Sequence, residues 1–102
     1  MLILKPNCEC CNKDLAANAK DAMICSYECT FCLECVTYTL ENVCPNCGGE
    51  FTPRPIRPST EHRPGISLSH QPASFERVNT KLSIQEIKAF SQGIKDIPPE
   101  KR

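Results

Sequence analysis

Cysteine spacing constrains this chain more than any other feature. Eight cysteines run Cys8-x2-Cys11-x13-Cys25-x3-Cys29-x2-Cys32-x2-Cys35-x8-Cys44-x2-Cys47, and a ninth, Cys10, stands beside Cys11. Two cysteines separated by two residues form a knuckle, a turn that points both sulfurs at one ion while backbone N–H groups donate to them. The thiolate is the real ligand, and its charge is stabilised by the cation and by those donors. Four thiolates around one ion make the closed tetrahedral arrangement of structural zinc. Eight ordered cysteines therefore predict two such sites rather than a disulfide framework.

The rest of the sequence needs such a staple. The 102 residues divide into unlike halves: residues 1–52 carry three basic and seven acidic side chains, and residues 53–102 carry nine and five. All nine cysteines lie in the first half and seven of the nine prolines in the second. The coincident shift predicts an acidic head over 1–52, a proline-rich basic linker over 53–79 and a tail over 80–102. A single apolar core in a head of that size rarely supplies more than about 3–5 kcal/mol. The run Met1-Leu2-Ile3-Leu4 is cut off by Lys5 and Pro6, too short for the core of a secretory signal. A cytoplasmic setting with reduced thiols is the expectation, which favours metal over disulfides. No apolar stretch approaches the length of a membrane span.

Local signals fit the knuckles. In Cys44-Pro45-Asn46-Cys47-Gly48, proline fixes the turn and glycine is free to take a positive φ after the second ligand. Asn12 holds the corresponding place after Cys11, and asparagine tolerates the same conformation. Leu15 is placed to fold back over the first knuckle. Met23-Ile24-Cys25 and Cys29-Thr30-Phe31 flank Ser26-Tyr27-Glu28 and predict a short hairpin. Leu33, Val36, Leu40 and Val43 recur at helical steps and predict a helix from about Leu33 to Glu41, its stripe belonging to the core.

Two groupings are compatible with the order. A sequential scheme unites Cys8, Cys11, Cys25 and Cys29, then Cys32, Cys35, Cys44 and Cys47. An interleaved scheme unites Cys8, Cys11, Cys32 and Cys35 as site 1, then Cys25, Cys29, Cys44 and Cys47 as site 2. Interleaving is preferred because it cross-links the segment twice and clamps its few apolar residues from both ends. Zn(II) at both sites is the expected cofactor, although an iron centre of the rubredoxin kind uses the same four cysteines.

The ligand order, with Pro45 inside the last pair, resembles the RING finger cross-brace in an all-cysteine version. Over Met1 to about Pro72 the chain is also similar to a family of short bacterial cysteine-rich proteins of unknown function. Leu2 to Asn12, Cys25 to Cys35, Cys44 to Gly49 and Pro53 to Pro58 carry that likeness. The first resemblance implies a small metal-stabilised α+β fold of the RING-like or treble-clef type, with a hairpin, a central helix and two zinc sites. It also implies ubiquitin-ligase work as a competing function. There the enzyme-docking positions of such ligases fall on Cys10, Thr39 with Leu40, and Gly48, none of which carries the docking chemistry. The second resemblance implies zinc binding and no activity.

Closed thiolate sites leave no open coordination position for catalysis, and the head contains no histidine. A non-enzymatic structural or protein-interaction module is therefore expected. Its acidic head disfavours phosphate, so nucleic acid would have to use Arg54, Arg57, Arg63 and Arg77 of the basic extension. Cys10 reads as a small side chain near the first site, and His62 and His70 as surface residues. The strip Phe51-Thr-Pro-Arg-Pro-Ile-Arg-Pro58 favours extended backbone. It is expected either to lie across the head, pairing Arg54 and Arg57 with its acids, or to meet a protein partner. Finally, Ser83-Ile84-Gln85-Glu86 is a capping box that opens an amphipathic helix over about 84–93, with Ile84, Ile87, Phe90 and Ile94 on one face. Such a helix is too short to stand alone, so it needs the head, a second copy or a partner.

Overall fold

A computed structural model describes all 102 residues. The hairpin forms where the sequence alternates: β1 (Ala22–Ile24) pairs antiparallel with β2 (Thr30–Cys32), with Ala22 opposite Cys32 and Ile24 opposite Thr30. Its turn passes through Glu28 at φ 67, a left-handed residue that absorbs the extra position of the Cys25-x3-Cys29 step. A third strand, β3 (Thr52–Pro53), joins the other side of β1, giving the order β2-β1-β3. Pro53 is tolerated because β3 is an edge strand.

Helix α1 (Leu33–Tyr38) follows β2 without a linker, and Cys32 is its N-cap. It is shorter than the stripe predicts. Leu40 N donates back to Cys35 O at 2.8 Å and Asn42 N to Val36 O at 3.0 Å, while Glu41 and Asn42 take φ values of 49 and 59. This wide closing turn stops the helix before Glu41. Val36, Leu40 and Val43 are buried all the same, but Leu33 is 47% exposed. The core cluster joins Val36 and Leu40 to Leu15, Ala22, Phe31, Phe51 and several cysteines. Phe31 and Phe51 meet edge to face with centroids 5.3 Å apart.

The proline-rich strip lies across the head, held differently from the expectation. Arg54 and Arg57 do not pair with the head's acids. Arg54, only 4% exposed, donates to Lys5 O at 2.8 Å and Ala16 O at 2.9 Å. Arg57 donates to Leu2 O and Gln71 O at 2.7 and 2.6 Å. Backbone carbonyls supply acceptors without a second desolvated charge, and burial holds the Arg54 guanidinium below its usual range.

Residues 59–79 are mostly irregular, with an isolated bridge between Arg63 and Ile66. Ser74 N then donates to Leu4 O, and Thr80 N to Glu9 O. Helix α2 (Ile84–Gln92) starts at Ser83, whose Oγ accepts from Glu86 N, and Gly93 is its C-cap. The surface α2 finds is the head. Ile87 joins the core cluster, Ser91 Oγ donates to Leu40 O at 2.9 Å, and Phe90 and Ile94 lie over the bare α-carbon of Gly48. A short 3-10 turn at Pro99–Lys101 ends the chain. No helix is long and apolar enough to cross a membrane.

Candidate metal centre

The pairs Cys8–Cys11, Cys32–Cys35 and Cys44–Cys47 each bring backbone N–H groups to a sulfur. At the first knuckle Asn12 N donates to Cys8 O, Cys11 N lies 3.5 Å from Cys8 Sγ, and Asn12 has φ 65. At the last, Gly48 N donates to Cys44 O, Gly49 N lies 3.4 Å from Cys47 Sγ, and Gly48 has φ 79. Tyr27 N donates to Cys25 Sγ at 3.3 Å. Cys35 N donates to Cys32 Sγ at 3.5 Å from the first turn of α1.

These turns bring together Cys8, Cys11, Cys32 and Cys35, with all four sulfurs within 4.8 Å of one another. A second group unites Cys25, Cys44 and Cys47 by the same measure. Cys29 is not within that tight group. Its Sγ accepts from Asn46 Nδ2 at 3.4 Å, which sets it against the loop between Cys44 and Cys47. The two groups can hold metal ions. Cys11 Sγ and Cys32 Sγ are 3.8 Å apart, the edge of a tetrahedron whose metal–sulfur bonds are about 2.3 Å. A covalent S–S bond is close to 2.05 Å, and all nine cysteines are free thiols.

Burial dominates the electrostatics of most of these thiols. Burial, reinforced by hydrogen bonding with Cys32 and by neighbouring sulfur charge, pushes the Cys35 thiol far above the ordinary range. Burial does the same to Cys44, against amide hydrogen bonds from Asn46 and Cys47. Cys29 and Cys32 are also raised, burial first. Cys11 is the exception: hydrogen bonds from the Lys13 amide and the nearby thiols outweigh its desolvation and lower it. Crowded sulfurs with no countercharge keep their protons, and a bound dication reverses that balance.

Cys10 is part-buried and its thiol is raised, mainly by burial; it belongs to neither group. His62 lines a surface cavity beside Arg57 and Leu68. His70 is exposed, as expected, and also meets a carboxylate: Nε2 lies 3.3 Å from Glu61 Oε1 and Nδ1 lies 3.0 Å from Ser67 Oγ. Ser67 is 1% exposed, so this trio offers no nucleophile to a substrate and instead braces the 61–71 loop.

Sequence reasoning missed Asn7 and Glu9, both buried beside the first knuckle. Asn7 Nδ2 donates to Val78 O at 2.9 Å and its Oδ1 accepts from Val78 N at 3.2 Å. Glu9 Oε2 accepts from Thr30 N at 2.6 Å and from Lys5 Nζ at 3.1 Å. Their adjacency to Cys8 is the one sequence signal, and it does not specify partners so distant in the chain.

A family described as a protein of unknown function (DUF1272) matches residues 1–57, more than half of the chain and the stretch that contains every cysteine. The chain belongs to this family. It is also 51% identical over 78 residues to an uncharacterized protein of Rhizobium meliloti (strain 1021), covering 76% of this chain and 86% of that relative. No solved structure matches the chain.

Proposed function

We propose that this DUF1272 protein is a structural or protein-interaction module whose folding is driven by two four-thiolate zinc sites. Site 1 is Cys8, Cys11, Cys32 and Cys35. Site 2 is Cys25, Cys44 and Cys47, completed by Cys29 once its thiol turns in from Asn46. The pairing is interleaved, in the manner of a RING-like or treble-clef cross-brace. The observation that carries the reading is the 3.8 Å separation of Cys11 Sγ and Cys32 Sγ inside a four-sulfur group.

Structural zinc in finger peptides contributes about 10–16 kcal/mol per site near neutral pH. That is ample for a head whose apolar core is small. With all four positions taken by sulfur the ion has no place for a water or substrate, so the module catalyses no reaction of its own. Its partners are proteins or further copies of itself. Support comes from exposed apolar side chains along the strip and tail, Ile56, Ile84 and Phe90 among them, and from a cavity of about 360 Å³ between Met1, Leu2 and Pro55–Pro58. Four thiolates on one Zn(II) leave two negative charges in excess, which adds to the acidity of the head and repels nucleic acid. Reduced thiols suit a cytoplasmic setting. Metal stoichiometry on native protein, combined with removal of the metal under reducing conditions, tests this reading.

A further inference from the structure

Two arginines, Arg77 of the linker and Arg102 of the tail, make equivalent contacts with the two knuckles. Arg77 Nη2 donates to Asn12 O at 2.7 Å, and its Nε and Nη2 reach Asn12 Oδ1 at 3.1 and 2.9 Å. Arg102 Nη1 donates to Gly48 O at 3.2 Å and to Asn42 O at 2.8 Å. Asn12 and Gly48 hold the same station: each directly follows the second cysteine of a C-x2-C knuckle and each is left-handed, at φ 65 and 79. Both arginines lie beyond the stretch matched by the family, 1–57.

Neighbouring contacts deliver each arginine to its knuckle. Val78 is held to Asn7 by two hydrogen bonds, and Arg77 Nη1 is held by Asp14 at 2.7 Å. On the other side Ser91 is bonded to Leu40 O and Lys95 lies 3.4 Å from Glu41. Arg102 Nε donates to Ile97 O at 3.0 Å. The loop carrying Cys44 and Cys47 is thus tied to the tail at Leu40, Glu41, Asn42 and Gly48.

We infer that Arg77 and Arg102 are paired clasps, each slowing the loss of metal from the site whose knuckle it holds. The inference rests on the two-site reading above. A knuckle opens by rotating its left-handed residue and freeing the second cysteine. A guanidinium bonded to that residue's carbonyl opposes the rotation. Its positive charge also sits beside a tetrathiolate centre that carries excess negative charge, where charge-assisted hydrogen bonds are strongest. Arginine suits the role because its planar fork grips several oxygens at once. Neither arginine touches the metal; both are positioning residues.

The test uses the full chain loaded with zinc, first counted by native mass spectrometry. Excess chelator and an alkylating reagent are then added, and the labelling rate of each cysteine is read by peptide mapping. Arg77→Ala is expected to speed labelling of Cys8, Cys11, Cys32 and Cys35 by about tenfold, the factor lost with one charge-assisted contact, leaving the other group unchanged. Arg102→Ala is expected to do the reverse. Arg77→Lys and Arg102→Lys keep the charge without the fork and are expected to fall between. Equal acceleration of both groups by either alanine variant would overturn the inference, as would no change in either. A wild-type count below two zinc ions per chain would instead bring down the two-site reading, and the clasps with it.

Discussion

Cys11 Sγ stands 3.8 Å from Cys32 Sγ although 21 positions separate them in the chain. Cys32 is buried in the core cluster beside Cys8 and Cys35. Cys11 is exposed and Cys32 is the N-cap of a six-residue helix. Their meeting brings a knuckle and a hairpin end to one point, where the four-sulfur group can hold a metal ion.

Removing one member of that group should therefore cost one ion, not a few contacts. Cys32→Ser is expected to lower the bound metal from two ions to one and to abolish ordered structure around α1, read by amide dispersion in NMR. Cys10→Ser, which alters a thiol outside both groups, is expected to retain two ions and the wild-type spectrum. Loss of an ion on changing Cys10 would contradict the assignment.

Arg54 is expected to be costly to replace despite its distance from any cysteine group. Arg54→Ala leaves the carbonyls of Lys5 and Ala16 without their donors, a loss of about 1–3 kcal/mol. Arg54→Lys should recover little, since one ammonium does not span two acceptors as a fork does. Denaturant unfolding of the metal-loaded protein measures both variants.

Leu40 is fully buried and sits where α1 ends and α2 docks. Leu40→Ala is expected to cost about 2–5 kcal/mol through lost burial and the cavity left behind. The same unfolding curves read it, with the metal count unchanged. A Leu40→Ala protein as stable as wild type would place the α2 contact outside the folded core.

One pH effect has a clear sign. The Lys13 ammonium, 2.6 Å from Asp21, holds that carboxyl below the usual carboxylate range through their hydrogen bond. A depressed carboxylate pKa adds stability above the unfolded value, and that contribution is lost as pH falls through the folded one. Lys13→Ala is expected to move the Asp21 midpoint upward in a carboxyl NMR titration. The pair is solvent-exposed, so its effect on stability should be small.

Much of the head was legible because metal chemistry restricts residue type and spacing together. Cysteine order implied the turns, and Asn12 and Gly48 marked their left-handed residues in advance. The hairpin and α2 followed from alternation and from the capping box at Ser83. The end of α1 was not legible, because the stripe through Leu40 and Val43 continues past the turn at Glu41 and Asn42. The long-range polar contacts were also hidden. Arg54 binds carbonyls rather than acids, and Asn7 meets Val78 across 71 positions. A backbone acceptor has no sequence signature, so only the folded chain reveals which one a side chain meets.

Native mass spectrometry of the reduced protein, followed by metal removal with a chelator and circular dichroism, tests whether two bound ions hold this fold together. Two zinc ions per chain, no disulfide, and collapse of the ordered spectrum on chelation are the expected results. A chain that carries disulfides, that holds fewer than two ions, or that keeps its fold after complete metal removal would contradict the account.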